Sequence, residues 1–211
     1  MSSTTNRKIF SWAARIIAIA VLLSMATWGC GDDNDNSGGS SSAGAAVRRT
    51  NLVSDVVGQT ATTDANLVNA WGLARSASGP FWVADNHSGM STVYNGSGQP
   101  FPIASPLLVT VPPPASSSEG TVSAPTGLVF NGTTDFVVSA GSASGPGVFI
   151  FATEDGTLSA WNQTVNAAAA ILTVDNSGND TIYKGLALAT NGSANFLYAT
   201  DFHNGKVDVF D

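Results

Sequence analysis

A glycine followed by leucine returns three times in this chain, at Gly72-Leu73, Gly127-Leu128 and Gly185-Leu186, spaced 55 and 58 residues apart. Each step opens a similar passage. Trp71-Gly72-Leu73-Ala74 leads to Phe81-Trp82-Val83-Ala84-Asp85-Asn86 and then Ser91-Thr92-Val93-Tyr94-Asn95. Thr126-Gly127-Leu128-Val129-Phe130 leads to Asp135-Phe136-Val137-Val138 and then Gly147-Val148-Phe149-Ile150-Phe151. Lys184-Gly185-Leu186-Ala187-Leu188 leads to Phe196-Leu197-Tyr198-Ala199-Thr200-Asp201 and then Lys206-Val207-Asp208-Val209-Phe210. Asp85 and Asp201 stand 116 residues apart, two periods of 58. A chain written this way stacks copies of one unit, because one such unit alone cannot bury its apolar face.

The unit is made of strands. Asn95-Gly96, Asn131-Gly132, Asp155-Gly156, Asn191-Gly192 and Asn204-Gly205 tolerate positive φ and read as hairpin turns. The runs between them are short and rich in aromatic and β-branched residues, which suits a pleated sheet. Outside the N-terminus only Asn166 to Leu172 is helix-like, so the body is expected to be all-β. A period near 50 with about four short strands per unit predicts a β-propeller, here about three blades of an incomplete ring. Leu73, Leu128 and Leu186 are expected on inner strands facing neighbouring blades, with Gly72, Gly127 and Gly185 allowing close approach. Phe81, Trp82, Val148, Phe149, Phe196 and Tyr198 would fill the space between blades, each worth roughly 1.5–3 kcal/mol when buried.

The N-terminus reads as an address. Arg7, Lys8 and Arg15 precede the apolar run from Ile16, the order of a secretory signal. The run to Trp28 spans roughly 20 Å as a helix, short of the about 30 Å of a bilayer core. Residues 1–29 are therefore assigned as a signal peptide. Gly29-Cys30 ends the run, and Cys30 is the chain's one cysteine, which excludes an internal disulfide and any CxxC site. The pair resembles a bacterial lipobox, which implies lipidation of Cys30 and a membrane anchor at the cell envelope. Cleavage after Ser24-Met25-Ala26, giving a periplasmic or secreted protein, and an uncleaved anchor are the alternatives. Residues 30–50, rich in Gly, Ser and Asp, cannot bury enough surface to order and are expected to be a flexible tether. The propeller would then occupy residues 51–211.

Charge narrows the partners. Net charge is -7, and setting aside the three N-terminal cations leaves five basic residues against 15 acidic ones. With no basic cluster, nucleic-acid binding is excluded.

Asn69-Ala70-Trp71-Gly72-Leu73-Ala74, Phe81 to Asn86 and Thr92-Val93-Tyr94 resemble an NHL repeat, and the third unit from Gly185 to Phe210 is similar. Residues 51–211 resemble the N-terminal part of an uncharacterised family of exported bacterial NHL-like proteins. The middle unit departs from the pattern, with Ser139-Ala140-Gly141 where the others carry Ala-Asp or Thr-Asp. Trp71, Gly72, Asp85, Gly127, Gly185 and Asp201 are the positions that carry the blade motif. The resemblance implies a binding or scaffolding platform for a protein or glycan ligand. It also admits a minority alternative, a calcium-dependent lactonase or esterase.

Candidate chemistry is sparse. Asp85-Asn86-His87 and Asp201-Phe202-His203 contain the two histidines, and an Asp-x-His pair can orient an imidazole. An aspartate ending a strand more often caps the next turn, and that reading is preferred. No Gly-x-Ser-x-Gly elbow occurs, and Gly141 to Gly145 reads as a hairpin loop, so no catalytic residue is assigned. No cofactor is required, although calcium remains possible. Glu154-Asp155-Gly156 and the loop from Asp175 to Asp180 offer oxygen ligands, with Asp175, Asn176 and Asp180 the candidate metal set. Neither matches a full EF-hand loop. Rings need roughly 4 to 8 blades, so three predict either a fragment of a longer product or closure by two copies.

Overall fold

The computed structural model describes residues 47–211. The expected signal peptide, Cys30 and most of the expected tether lie outside the described residues. Residues 47–50 are irregular and exposed. β1 (Val53–Ser54) and β2 (Thr62–Thr63) form a short parallel pair. β3 (Ala70–Ala74), β4 (Phe81–Asp85), β5 (Met90–Tyr94) and β6 (Leu108–Thr110) follow as an antiparallel meander in sheet order 3-4-5-6.

The middle sheet departs from expectation. β7 (Pro125–Phe130) precedes a separate hairpin of β8 (Val137–Ala140) and β9 (Ala143–Pro146). The sheet itself resumes with β10 (Phe149–Thr153), β11 (Thr157–Trp161) and β12 (Ile171–Asp175), and β10 pairs directly with β7. Asp135 to Val138 is thus not the second strand of this unit. The reason is burial: all five residues of β10 are buried, whereas Val137 is 58% exposed. The central place goes to the run that is apolar on both faces. The turn corresponding to Asp85 and Asp201 is therefore Thr153-Glu154-Asp155-Gly156, not Ser139-Ala140-Gly141.

After a single 3-10 turn at Ser177–Asn179, β13 (Tyr183–Thr190), β14 (Asn195–Asp201) and β15 (Lys206–Phe210) make a three-stranded antiparallel sheet. The body is all-β, and none of its sheets closes on itself.

The glycines set the stacking. A Cβ on Gly72 would lie 2.8 Å from the Leu128 Cβ and 2.4 Å from the Thr126 carbonyl oxygen. A Cβ on Gly127 would lie 2.7 Å from both the Cβ and the N of Leu186. First strand therefore packs on first strand, β3 on β7 and β7 on β13. The alternation along β10 divides the core. Phe149 and Phe151 join Trp82, Val93 and Leu128 on the side of the first sheet, where Trp82 and Phe149 stack at 4.1 Å. Ile150 and Ala152 join Leu158, Tyr183 and Leu197 on the side of the third.

Three expected core positions, Leu73, Phe196 and Tyr198, are corrected by this geometry. Leu73 is 63% exposed, and its neighbour Trp71 46% exposed, because no large sheet covers their face among the described residues, and Leu52 and Val53 border it only in part. In β14 the buried apolar side chains are Leu197 and Ala199, while Phe196 and Tyr198 are half-buried on the opposite face. Strand parity decides this: Leu197 and Ala199 pair with Leu188 and Leu186, which already face the middle sheet.

Candidate functional site

At one end of the three sheets, equivalent positions converge. The residue before each repeated glycine is Trp71, Thr126 or Lys184, and the residue after each second strand is Asn86, Glu154 or Phe202. Asn69, held at φ 55, donates from Nδ2 to Asn86 Oδ1 at 3.0 Å. Asn86 Nδ2 donates to Glu154 Oε2 at 3.1 Å and to the Pro125 carbonyl at 3.3 Å. Glu154 Oε1 pairs with Lys184 Nζ. That ammonium lies 4.7 Å from the Trp71 ring and 5.9 Å from the Phe202 ring. Thr126 closes the middle position by donating to the Tyr183 carbonyl at 2.7 Å.

The result is a polar chain of two amides, one carboxylate and one ammonium, flanked by two aromatic faces. Asn86 is buried, while the Lys184 and Glu154 side chains keep 29% and 31% exposure, so solvent screens their pair to roughly 0–1 kcal/mol. Phe202 is 71% exposed. Such a surface has flat apolar area, donors and acceptors together.

The two strand-ending aspartates, buried, immediately precede Asn86 and Phe202. Asp201 accepts from the Ile182 N–H at 3.3 Å, the Asn204 N–H at 3.2 Å and Asn204 Nδ2 at 2.7 Å. Lys206 Nζ stands 3.6 Å away. Burial works to raise this carboxyl, but the Asn204 side chain, the two N–H groups and the Lys206 charge bring it down to about 2. Asp85 accepts from the Thr92 N–H at 2.9 Å, and its Oδ1 has no partner. Burial pushes it up to about 7, with the Asp64 charge adding to the rise. Both aspartates direct oxygens at N–H groups, and His87 and His203 are exposed.

The calcium candidates do not share partners. Asp175 accepts from the Ala115 N–H at 2.8 Å, the Ser177 N–H at 3.1 Å and the Ser177 hydroxyl at 2.6 Å. The Ser177 hydroxyl is the main cause holding that carboxyl below the ordinary range. Asn176 Nδ2 donates to the Tyr183 hydroxyl at 2.8 Å, and that hydroxyl donates to Asp208 at 3.0 Å. Burial is the main cause pushing the Tyr183 phenol up to about 12. Asp180 is exposed at φ 53. Among the described residues no group of three or more His, Cys, Asp or Glu side chains is placed to hold a metal ion.

Sequence reasoning missed the roles of Asn69 and Lys184, and saw Glu154 only as a possible calcium ligand. Phe149-Ile150-Phe151-Ala152-Thr153-Glu154 resembles Phe196-Leu197-Tyr198-Ala199-Thr200-Asp201. Aligning those runs puts Glu154 on Asp201, whereas strand pairing puts Thr153 there and Glu154 one step on, level with Asn86 and Phe202. Choosing Asp135 to Val138 as the second strand hid it.

No family model matches the chain. It is 32% identical over 162 residues, 76% of its length, to an uncharacterised protein of Acanthamoeba polyphaga mimivirus, and the match covers 37% of that protein. Another uncharacterised protein of the same virus is 38% identical over 76 residues, 36% of this chain and 14% of the relative. The chain thus spans well under half the length of these relatives.

Proposed function

We propose that residues 51–211 are an arc of an NHL-like β-propeller. On this reading the arc serves as a binding or scaffolding module at the cell envelope, held to the membrane through a lipid on Cys30. The serial packing of Gly72 on Leu128 and Gly127 on Leu186 supports the propeller reading, since each sheet presents the same strand to the next. The binding role rests on one observation: the Asn69–Asn86–Glu154–Lys184 chain joins three sheets at one end, between the half-exposed Trp71 and the exposed Phe202. Aromatic faces beside amides and a charge pair suit a sugar ring or an extended peptide. The pairing of Lys184 with Glu154 argues against a nucleic-acid ligand. The same pairing argues against the calcium-dependent lactonase or esterase alternative, because an ammonium stands where a cation would need the Glu154 carboxylate.

Among the described residues Trp71 supplies the reporter, since Trp82 and Trp161 are buried. Fluorescence of the full chain is titrated with cell-wall oligosaccharides and with unstructured peptides. Saturable quenching by one class, lost in Trp71→Phe and weakened at least tenfold in Lys184→Ala, is the expected outcome. Quenching that persists unchanged in both variants would remove the site from the proposal.

A further inference from the structure

Lysine and arginine are scarce in the described residues, and their five side chains fall into two groups. Three belong to folded elements. Arg75, in the turn between β3 and β4, donates from Nε to the Ser76 carbonyl at 3.0 Å and lies 5.2 Å from the Phe81 ring centroid. Lys184 lies in β13 and pairs with Glu154. Lys206 lies in β15 and donates to Asp208 Oδ1 at 2.8 Å. The other two, Arg48 and Arg49, are adjacent, and residues 47–52 around them are irregular and exposed. Val47 is 96% exposed, and among the described residues no hydrogen bond ties 47–52 to the body. The first contacts with the body come just after the pair, where Leu52 lies against Gly98 and β1 pairs Val53 with Thr62.

We propose that Arg48-Arg49 is a processing site, at which an endopeptidase specific for basic residues severs the expected tether from the folded body. The argument is one of access and charge. An endopeptidase holds its substrate as an extended strand, through main-chain groups on both sides of the bond to be cut. Residues 47–52 offer that stretch with no pairing to open, which is where nicking concentrates. Lys184 and Lys206 reach a protease only when their sheet opens, and Arg75 sits in a turn closed by the paired strands β3 and β4. A specificity pocket with a carboxylate at its base accepts Arg or Lys. Among the described residues, Arg48 and Arg49 present that charge outside any strand or tight turn. Water adds to the Arg49 carbonyl, and the bond to the Thr50 nitrogen breaks. The products are a carboxylate on Arg49 and an ammonium on Thr50, and no other reactant is consumed. Thr50, Asn51 and Leu52 stay with the body, so the Leu52 contact and the β1–β2 pair survive the cut. Cleavage depends on no other reading of the chain. That it frees the body from the membrane rests on the lipid anchor at Cys30.

The chain is recovered from cells that export it, and the N-terminus of each species is read by mass. A body beginning at Arg49 or Thr50 is expected outside the membrane fraction, beside anchored chain that has yet to be cut. Arg48→Gln combined with Arg49→Gln should abolish the shortened body and leave the whole chain in the membrane fraction. In parallel, the full chain made by cell-free synthesis is digested with trypsin. Its first cut downstream of Cys30 should fall at the pair, giving a product that melts with the undigested chain, and the double variant should not be cut there. Absence of the shortened body from the cells overturns the proposal, as does a double variant trimmed like the wild type. A first trypsin cut at Arg75, Lys184 or Lys206 also overturns it, and so does a product that no longer melts cooperatively. If the wild type is cut at the pair but the uncut variant is not held in the membrane fraction, the cleavage stands and the lipid reading fails.

Discussion

Asp85 and Asp201 end the second strands of the first and third sheets, and both are buried, yet their carboxyls are driven in opposite directions, to about 7 and about 2. The five residues that follow share a histidine and a glycine and differ at the other three positions. Asp85 is followed by Asn86-His87-Ser88-Gly89-Met90, and Asp201 by Phe202-His203-Asn204-Gly205-Lys206. Gly89 and Gly205 both adopt positive φ, 64 and 65, so the backbone path is shared. Asn204 and Lys206 supply the amide and the charge that stabilise the Asp201 carboxylate, and Ser88 and Met90 supply neither to Asp85. One local geometry therefore holds a charged group in one sheet and favours a neutral one in the other.

Stability should fall with rising pH across the middle range. Asp85 has a folded value of about 7 against an ordinary 3.8, so the folded state binds the extra proton between them. Its contribution is complete below about pH 4, is lost at up to ~1.4 kcal/mol per pH unit as pH rises toward 7, and is flat above. Thermal melts at pH 5 and pH 8 check this. Asp85→Asn should flatten the difference and should be more stable than wild type at pH 8.

Copying the third turn into the first should move Asp85 the other way. Ser88→Asn with Met90→Lys gives the carboxylate a donor and a nearby cation. The fall in stability between pH 5 and pH 8 should shrink, and a carboxyl resonance followed by NMR should titrate below its wild-type midpoint. Conversely, Asn204→Ala removes the amide side chain that donates to Asp201, and should cost ~1–3 kcal/mol at neutral pH. Because Asp201 titrates at about 2, that contribution is present above pH 4 and is lost only as pH falls toward 2.

The all-β body and the role of the glycine-leucine steps were legible in the sequence because both are local signals: turn dipeptides mark hairpins, and a repeated glycine marks a close approach. Strand parity was less legible. Phe196 and Tyr198 look like core aromatics, but their face is decided by pairing with Ala189 and Ala187, which sequence alone does not supply. The β8–β9 hairpin misled for a similar reason. Asp135 to Val138 has the composition of a strand, and only the wholly buried Phe149–Thr153 shows which run takes the central place. The site was the least legible part, since Asn86, Glu154 and Lys184 are far apart in the chain and meet only once the sheets stack.

Calcium should have little effect. Both Asp175 oxygens already accept hydrogen bonds, and Asn176 is turned to Tyr183. Millimolar calcium is expected to shift the thermal midpoint by less than ~2 °C, which corresponds to under ~1 kcal/mol for a chain of this size. A large rise with sub-micromolar affinity would favour the hydrolase alternative.

Lipidation makes a clean prediction at Cys30. In cells fed a labelled fatty acid, the wild-type chain should take up label and partition into detergent, and Cys30→Ser should do neither. Equal labelling of the two would return the N-terminus to a plain secretory signal or an uncleaved anchor.

Gly127 carries the stacking more directly than any apolar side chain, and its replacement gives the sharpest stability test. In an unconstrained extended segment, Gly→Ala gains ~0.4–1 kcal/mol by restricting the unfolded chain. The φ of Gly127 is not positive, so alanine meets no backbone penalty there. The new methyl would, however, sit 2.7 Å from the backbone N and the Cβ of Leu186, and 3.0 Å from the Gly185 carbonyl carbon. None of these is the free end of a flexible side chain, so the third sheet has to move away as a body. Overpacking of that kind costs ~1–3 kcal/mol, enough to outweigh the entropic gain. Gly127→Ala should therefore lower the thermal midpoint by several degrees, at ~2–4 °C per kcal/mol. Gly178→Ala, with open space around it, should leave the midpoint within about a degree. Calorimetry of the two variants beside the wild type separates contact between sheets from a general sensitivity to lost glycine, and equal midpoints would mean that the first strands do not pack against one another.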